Sequence, residues 1–188
     1  CQHGIGHGVI TELGYDKLAE SLDACMELDW QEPIGGCTSG VFMEFNFSTM
    51  NQGEMRQPED DGEYYPCTEM EKRFSQACYF EQPAWWSVRS EQNFELVGER
   101  CESVANLLDR QACYRGVGNV VAGMTEYSLE EIASACQLMP NKEGEVLCIE
   151  GATWIVSAQP EFKDIWIKLC EPYTGEHYDR CIRSRDFI

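Results

Sequence analysis

The 188 residues contain no apolar run near the roughly 18–20 residues that a membrane-spanning helix requires. No cluster of lysine and arginine occurs either. The chain has 14 basic residues against 33 acidic ones, a net charge of −19. Nucleic-acid binding needs a concentrated basic face, and anionic lipid surfaces attract basic segments, so neither class of partner is expected. There is no C-x-x-C pair, on which zinc ribbons and fingers depend, and no C-x-x-C-H for covalent haem attachment. Histidine is scarce: His3, His7 and His177 are the whole complement, and no Ser-His-Asp set is legible. With 43% hydrophobic, 25% charged and 11% aromatic residues, wholesale disorder is excluded.

Cysteine, by contrast, is abundant. The eleven cysteines fall at 1, 25, 37, 67, 78, 101, 113, 136, 148, 170 and 181, a density that without metal-binding pairs points to disulfides and an oxidising compartment. Long and short intervals alternate throughout: 24, 12, 30, 11, 23, 12, 23, 12, 22 and 11 residues. One long plus one short interval gives a period of about 34–35 residues, the length of a helix–turn–helix repeat. Glycine recurs three residues after the second cysteine, as Gly4, Gly40, Gly116 and Gly151. Cys113, Gly116, Val117, Val120, Val121 and Met124 form a helical apolar stripe. Ser128 with Glu131 forms a capping box that opens a second helix ending near Cys136. The next unit predicts a helix up to Ala158, a break at Gln159-Pro160, and a helix over Glu161–Cys170.

The expected fold is therefore all-α: a disulfide-stapled α-solenoid of helix-pair repeats forming one domain over 1–188, with a polar acidic insertion at 45–66. Each bridge should join the end of one helix to the start of the next: Cys25–Cys37, Cys67–Cys78, Cys101–Cys113, Cys136–Cys148 and Cys170–Cys181. Cys1 lies in register with this ladder. Its partner is expected 11 or 12 residues upstream, as in a segment cut from a longer array; a lipid-modified cysteine is the competing reading.

The alternation of small helix pairs with cysteines resembles the Sel1-like cysteine-rich repeat proteins exported by bacteria and, more distantly, tetratricopeptide arrays. The Ala-Gly-rich Sel1-like consensus is not evident, and the bridges of that family join closer cysteines. The strings CQHGIGHG, GVFMEFN and YPC…ACYFEQ are similar to those of uncharacterised exported bacterial proteins, a likeness that brings no activity with it.

His3 and His7, at i and i+4, share one helix face, as paired metal ligands on a helix do. With Cys1, Gly4, Ile5, Gly8 and Val9 taken as the buried stripe, both point away from it. Glu44 falls on the stripe of the Cys37 helix, where a carboxylate would be partly desolvated. Side-by-side first helices would allow His3, His7 and Glu44 to form a two-His-one-carboxylate site for a divalent metal. Against that, the stripes place the histidines and Glu44 on opposite sides of their helices, and ordinary surface hydrogen bonding explains them as well. The glycines Gly4, Gly6, Gly8, Gly116 and Gly118 lie inside predicted helices, which argues for close helix packing and against a phosphate loop. Trp85 and Trp86 are adjacent and cannot both face one stripe, so an exposed aromatic anchor with Tyr64 and Tyr65 stands beside core packing of both.

These residues point first to a non-enzymatic module in a secreted, periplasmic or cell-surface setting that binds a protein or another extracellular ligand through the solenoid surface. Metal binding or metal-dependent catalysis at His3, His7 and Glu44 is the second expectation. Self-association as a filament subunit is the third.

Overall fold

Asparagine and serine side chains decide where several helices begin. Asn106 Oδ1 accepts from the amides of Leu108 at 2.9 Å and Asp109 at 3.1 Å. Asn141 Oδ1 accepts from Gly144 N at 2.9 Å, and Asn93 Oδ1 from Leu96 N at 3.1 Å. Each satisfies amides that a helix start leaves without intrahelical partners. Ser128 caps in the same way through Glu131 N, as the capping box predicts.

The computed structural model describes residues 1–28, 34–51 and 62–187. Its helices are α1 (Gln2–Leu13), α2 (Leu18–Cys25), α3 (Cys37–Asn51), α4 (Lys72–Arg89), α5 (Phe94–Glu102), α6 (Leu107–Met124), α7 (Leu129–Cys136), α8 (Lys142–Ser157) and α9 (Glu176–Arg183). Short 3-10 turns complete the set, and the described residues contain no strand. All five expected disulfides are present, with Cα separations between 5.5 and 5.7 Å, inside the range such bridges occupy.

The chain divides into two compact units, Cys1–Val88 and Arg89–Ile188. In the first, α1 packs along α3; in the second, α6 packs along α8. The same kind of crossing holds each pair. A Cβ on Gly6 would overlap the Cys37 carbonyl, and one on Gly40 would overlap the His3 carbonyl. Likewise a Cβ on Gly118 would meet the Cys148 carbonyl, and one on Gly151 the Arg115 carbonyl. Backbone lies against backbone at both crossings, which only glycine permits. The recurring Gly40 and Gly151 thus have partners two residues beyond Gly4 and Gly116, at Gly6 and Gly118.

Three local expectations are corrected. The second cysteine of a pair opens a helix only at Cys37. Cys78, Cys113 and Cys148 sit six residues past the first residue of α4, α6 and α8. For α6 and α8 the reason is the asparagine cap: Asn106 and Asn141 start the two helices. Glu161–Cys170 is not an α-helix but contains two 3-10 turns, Pro160–Phe162 and Trp166–Leu169. There the amides of Phe162, Ile165, Lys168 and Cys170 each bond three residues back, and three-residue spacing puts buried Trp166 and Leu169 on one side. His177 stands in the first turn of α9. Of the 45–66 insertion, residues 45–51 continue α3, and 52–61 lie outside the described residues.

Candidate functional site

The side of α1 that meets α3 is set by Gly6, not by the apolar stripe. Gly6 and Ile10 are buried, whereas Cys1, Gly4, Ile5 and Gly8 are exposed, so the expected inward face is wrong. Contact between glycine backbones fixes the rotation of the helix. It carries His3 and His7, neighbours of Gly6 on the helical net, toward α3. The expected opposition of the histidines to Glu44 disappears as a result.

His7 Nδ1 lies 2.8 Å from Glu44 Oε2, and the two side chains are 29% and 26% exposed. A carboxylate oxygen can only accept here, so Nδ1 is the donor. The other carboxylate oxygen accepts from the Tyr15 hydroxyl at 3.1 Å, just beyond the C-terminus of α1. His3 Nε2 lies 3.2 Å from Met43 Sδ. The two imidazoles are 4.8 Å apart between centroids, edge to face at 70°. Positions 3, 7, 15, 43 and 44 therefore meet in one half-buried cluster, of which sequence spacing identified the histidines and Glu44 but not Tyr15 or Met43.

Burial holds the His3 pKa below the ordinary 6.5, His7 adds to the lowering, and the Gly36 and Gly35 backbone pulls the other way. Its Nδ1 is buried without a well-formed hydrogen bond. Among the described residues, no group of three or more His, Cys, Asp or Glu side chains is arranged to hold a metal. His7 and Glu44 already engage each other, and His3 faces the thioether of Met43.

The corresponding crossing in the second unit is built otherwise. Arg115 stands where α1 has His3. It contacts Glu150 Oε2 through Nε and Nη2, both at 3.1 Å. Arg180 of α9 places Nε 3.0 Å from Glu150 Oε1, as an ion pair and not an aligned hydrogen bond. Glu150 is only 2% exposed, so two guanidinium groups offset one desolvated carboxylate. Sequence reasoning passed over it. The available signal was an acid inside the C-x-x-G string, at a position that a glycine crossing buries.

Glu81 on α4 was also missed. Burial raises its pKa to about 8, against a lowering by the Ser39 hydrogen bond, and its backbone carbonyl accepts from Asn46 Nδ2 at 3.0 Å. Trp85 and Trp86 are both in the core, at 1% and 0% exposure, so neither is an exposed anchor. The segment before α4 covers the side that a single stripe would leave open. Trp86 Nε1 donates to the Glu63 carbonyl at 3.0 Å, with the Tyr64 ring edge-on at 5.4 Å. Tyr65 meets Phe45 at 6.5 Å. This aromatic group is a packing cluster.

In comparisons with known proteins, no family model, curated protein or solved structure matches the chain, and the functional reading rests on the geometry of the α1–α3 cluster.

Proposed function

We propose that the chain is an exported helical-repeat binding module whose chemistry is metal-ion binding at the crossing of α1 and α3. The observation that carries this reading is the 2.8 Å contact between His7 and Glu44 with a second imidazole alongside, made by side chains 37 positions apart. The packing does not require it, since the glycine crossing of α6 and α8 forms around Arg115 instead. The net charge of −19 adds a general attraction for cations. Five disulfides favour an oxidising, extracytoplasmic location. The cysteine period and the twice-used glycine crossing favour a solenoid of helix pairs similar to Sel1-like arrays. Equilibrium dialysis of the full chain against a panel of first-row divalent ions and soft monovalent ions tests the proposal. The expected result is one ion per chain, lost in His3→Ala and His7→Ala and kept in His177→Ala; no binding by any ion overturns it.

A second reading, assembly with further copies, has one observation in its favour. Leu107 and Leu108 at the start of α6 are 51% and 56% exposed, adjacent apolar side chains that a contact with another copy would cover. Sedimentation velocity over a range of concentrations should then show association that weakens in Leu107→Ser/Leu108→Ser; a monomer at all concentrations rules it out.

A further inference from the structure

The geometry points to a soft-metal centre at the α1–α3 crossing, in which His3 Nε2, His7 Nε2 and Met43 Sδ are the ligands and Glu44 is a positioning group. This rests on the metal-binding reading above and adds the class of ion, a monovalent soft cation of the copper(I) or silver(I) type.

Histidines that bind metals commonly donate their other ring N–H to a carboxylate, which fixes the tautomer and the ring plane. His7 does so through Nδ1, to Glu44 Oε2 at 2.8 Å, and this leaves Nε2 as the nitrogen able to ligate. The Glu44 carboxylate is held from its other oxygen by Tyr15 at 3.1 Å, so both of its oxygens are already engaged. A carboxylate with both oxygens occupied in this way orients a ligand more readily than it serves as one. Among the described residues His3, His7 and Glu44 do not themselves form a three-ligand set, so a third donor has to come from another residue type.

That donor is Met43. Its Sδ lies 3.2 Å from His3 Nε2. Two donors can stand this close on one ion, since metal bonds to nitrogen and sulfur run at roughly 2.0–2.3 Å. Thioether sulfur is a poor ligand for hard cations and selects soft ones such as copper(I). His3 and His7 are one helical turn apart with rings 4.8 Å apart, so both imidazoles stand beside the same thioether-bearing helix. At the matching crossing of the second unit, Arg115, Trp154 and Ile155 replace His3, Met43 and Glu44. The ligand set thus belongs to one crossing and not to the packing common to both.

The test uses the full chain with its disulfides intact and the Cys1 thiol alkylated, so that this exposed cysteine contributes no binding. Silver(I), which needs no reductant, and zinc(II) are titrated separately by calorimetry in chloride-free buffer, with the imidazole and methionine methyl signals followed by NMR. The expected result is one silver ion per chain, with His3, His7 and Met43 signals shifting together. Met43→Leu, a swap of similar volume, should lower silver affinity at least tenfold and leave zinc unchanged. Glu44→Gln should lower it by about 10-fold or more, as loss of an orienting carboxylate does, without abolishing binding. If zinc binds tightly, Met43→Leu is without effect and Glu44→Gln abolishes binding, the metal reading stands with Glu44 as a ligand and this inference falls. Silver binding that is equal in the parent, His3→Ala and Met43→Leu also overturns it. If neither ion binds, this inference falls, and the metal-binding reading falls with it only when the wider panel of ions is also without binding.

Discussion

Replacing Glu81 by glutamine should remove most of one strong pH dependence of stability. Glu81 is buried on α4, and its pKa in the fold is raised from 4.5 to about 8, because burial penalises the carboxylate. A raised folded-state pKa means that the native state holds the proton more tightly than the unfolded chain. The associated stability is fully present below about pH 4.5 and is lost as the pH rises through about 8. Every tenfold difference in proton affinity between the two states is worth about 1.4 kcal/mol. From the two pKa values the fold loses about 3 kcal/mol by pH 7 and about 5 kcal/mol by pH 9 from this group alone. Glutamine keeps the shape and can still pair with Ser39, but it carries no ionisable group. Urea unfolding followed by far-UV circular dichroism from pH 5 to pH 9 measures the effect. The difference between variant and parent cancels the repulsion common to both acidic chains. Glu81→Gln should change stability little at pH 5 and exceed the parent by several kcal/mol at pH 9. Parallel pH profiles for the two proteins would refute the assignment of Glu81 as a buried neutral acid.

Alanine at Gly6 and at Gly4 should have opposite effects. The Gly6 Cβ overlaps the Cys37 carbonyl, whereas Gly4 has no neighbour within 4 Å, so Gly6→Ala should cost about 1–3 kcal/mol and Gly4→Ala should stabilise by up to about 1 kcal/mol; thermal unfolding gives the order, and equal values would refute the observed rotation of α1. Glu150→Gln should destabilise the chain by about 3 kcal/mol or more, because Arg115 and Arg180 lose their shared carboxylate. A change in urea midpoint worth less than about 1 kcal/mol would show that solvent screens the clamp. Peptide mass mapping without reduction should find five links of 11 or 12 residues. Reduction should remove much of the helical signal, since each bridge is worth roughly 2–3 kcal/mol in the loop-entropy model; free thiols at most of these positions would contradict the pairing.

The helical class and the bridges were legible because a cysteine ladder is a one-dimensional signal, carried by spacing alone. Helix starts were less so. Asn106 and Asn141 are polar residues between apolar runs, and a cap and a loop share that composition until the amides they bind are located. The α1–α3 cluster was legible in its members and not in its geometry. Hydrophobicity places Ile5 inside and His3 outside, yet Gly6 against the Cys37 carbonyl reverses the two, because close backbone approach depends on what a residue lacks. Met43 and Tyr15 escaped notice for a related reason. A thioether and a phenol have no spacing rule of their own and become functional candidates only beside a partner. Glu81, Glu150 and the paired tryptophans show the remaining gap, since each depends on a third element, α4, α9 or the segment before α4, whose position no local pattern encodes.

The placement of the bridges has a consequence for the lifetime of the chain among proteases. The turn between α5 and α6 at Ser103–Asn106, that between α7 and α8 at Gln137–Asn141, and that before α9 at Glu171–Gly175 each fall inside a covalent ring closed by a disulfide. A cut in any of them opens the ring and leaves the two fragments joined, with helices on both sides of the nick still tethered. The turns at Ser90–Asn93 and Thr125–Ser128 fall between rings. They turn on consecutive left-handed residues, Glu91 with Gln92 and Glu126 with Tyr127. Severing either of these divides the chain into pieces that no bridge among the five holds together. Limited digestion should therefore yield two kinds of nicked protein, one that separates on a gel only after reduction and one that separates without it.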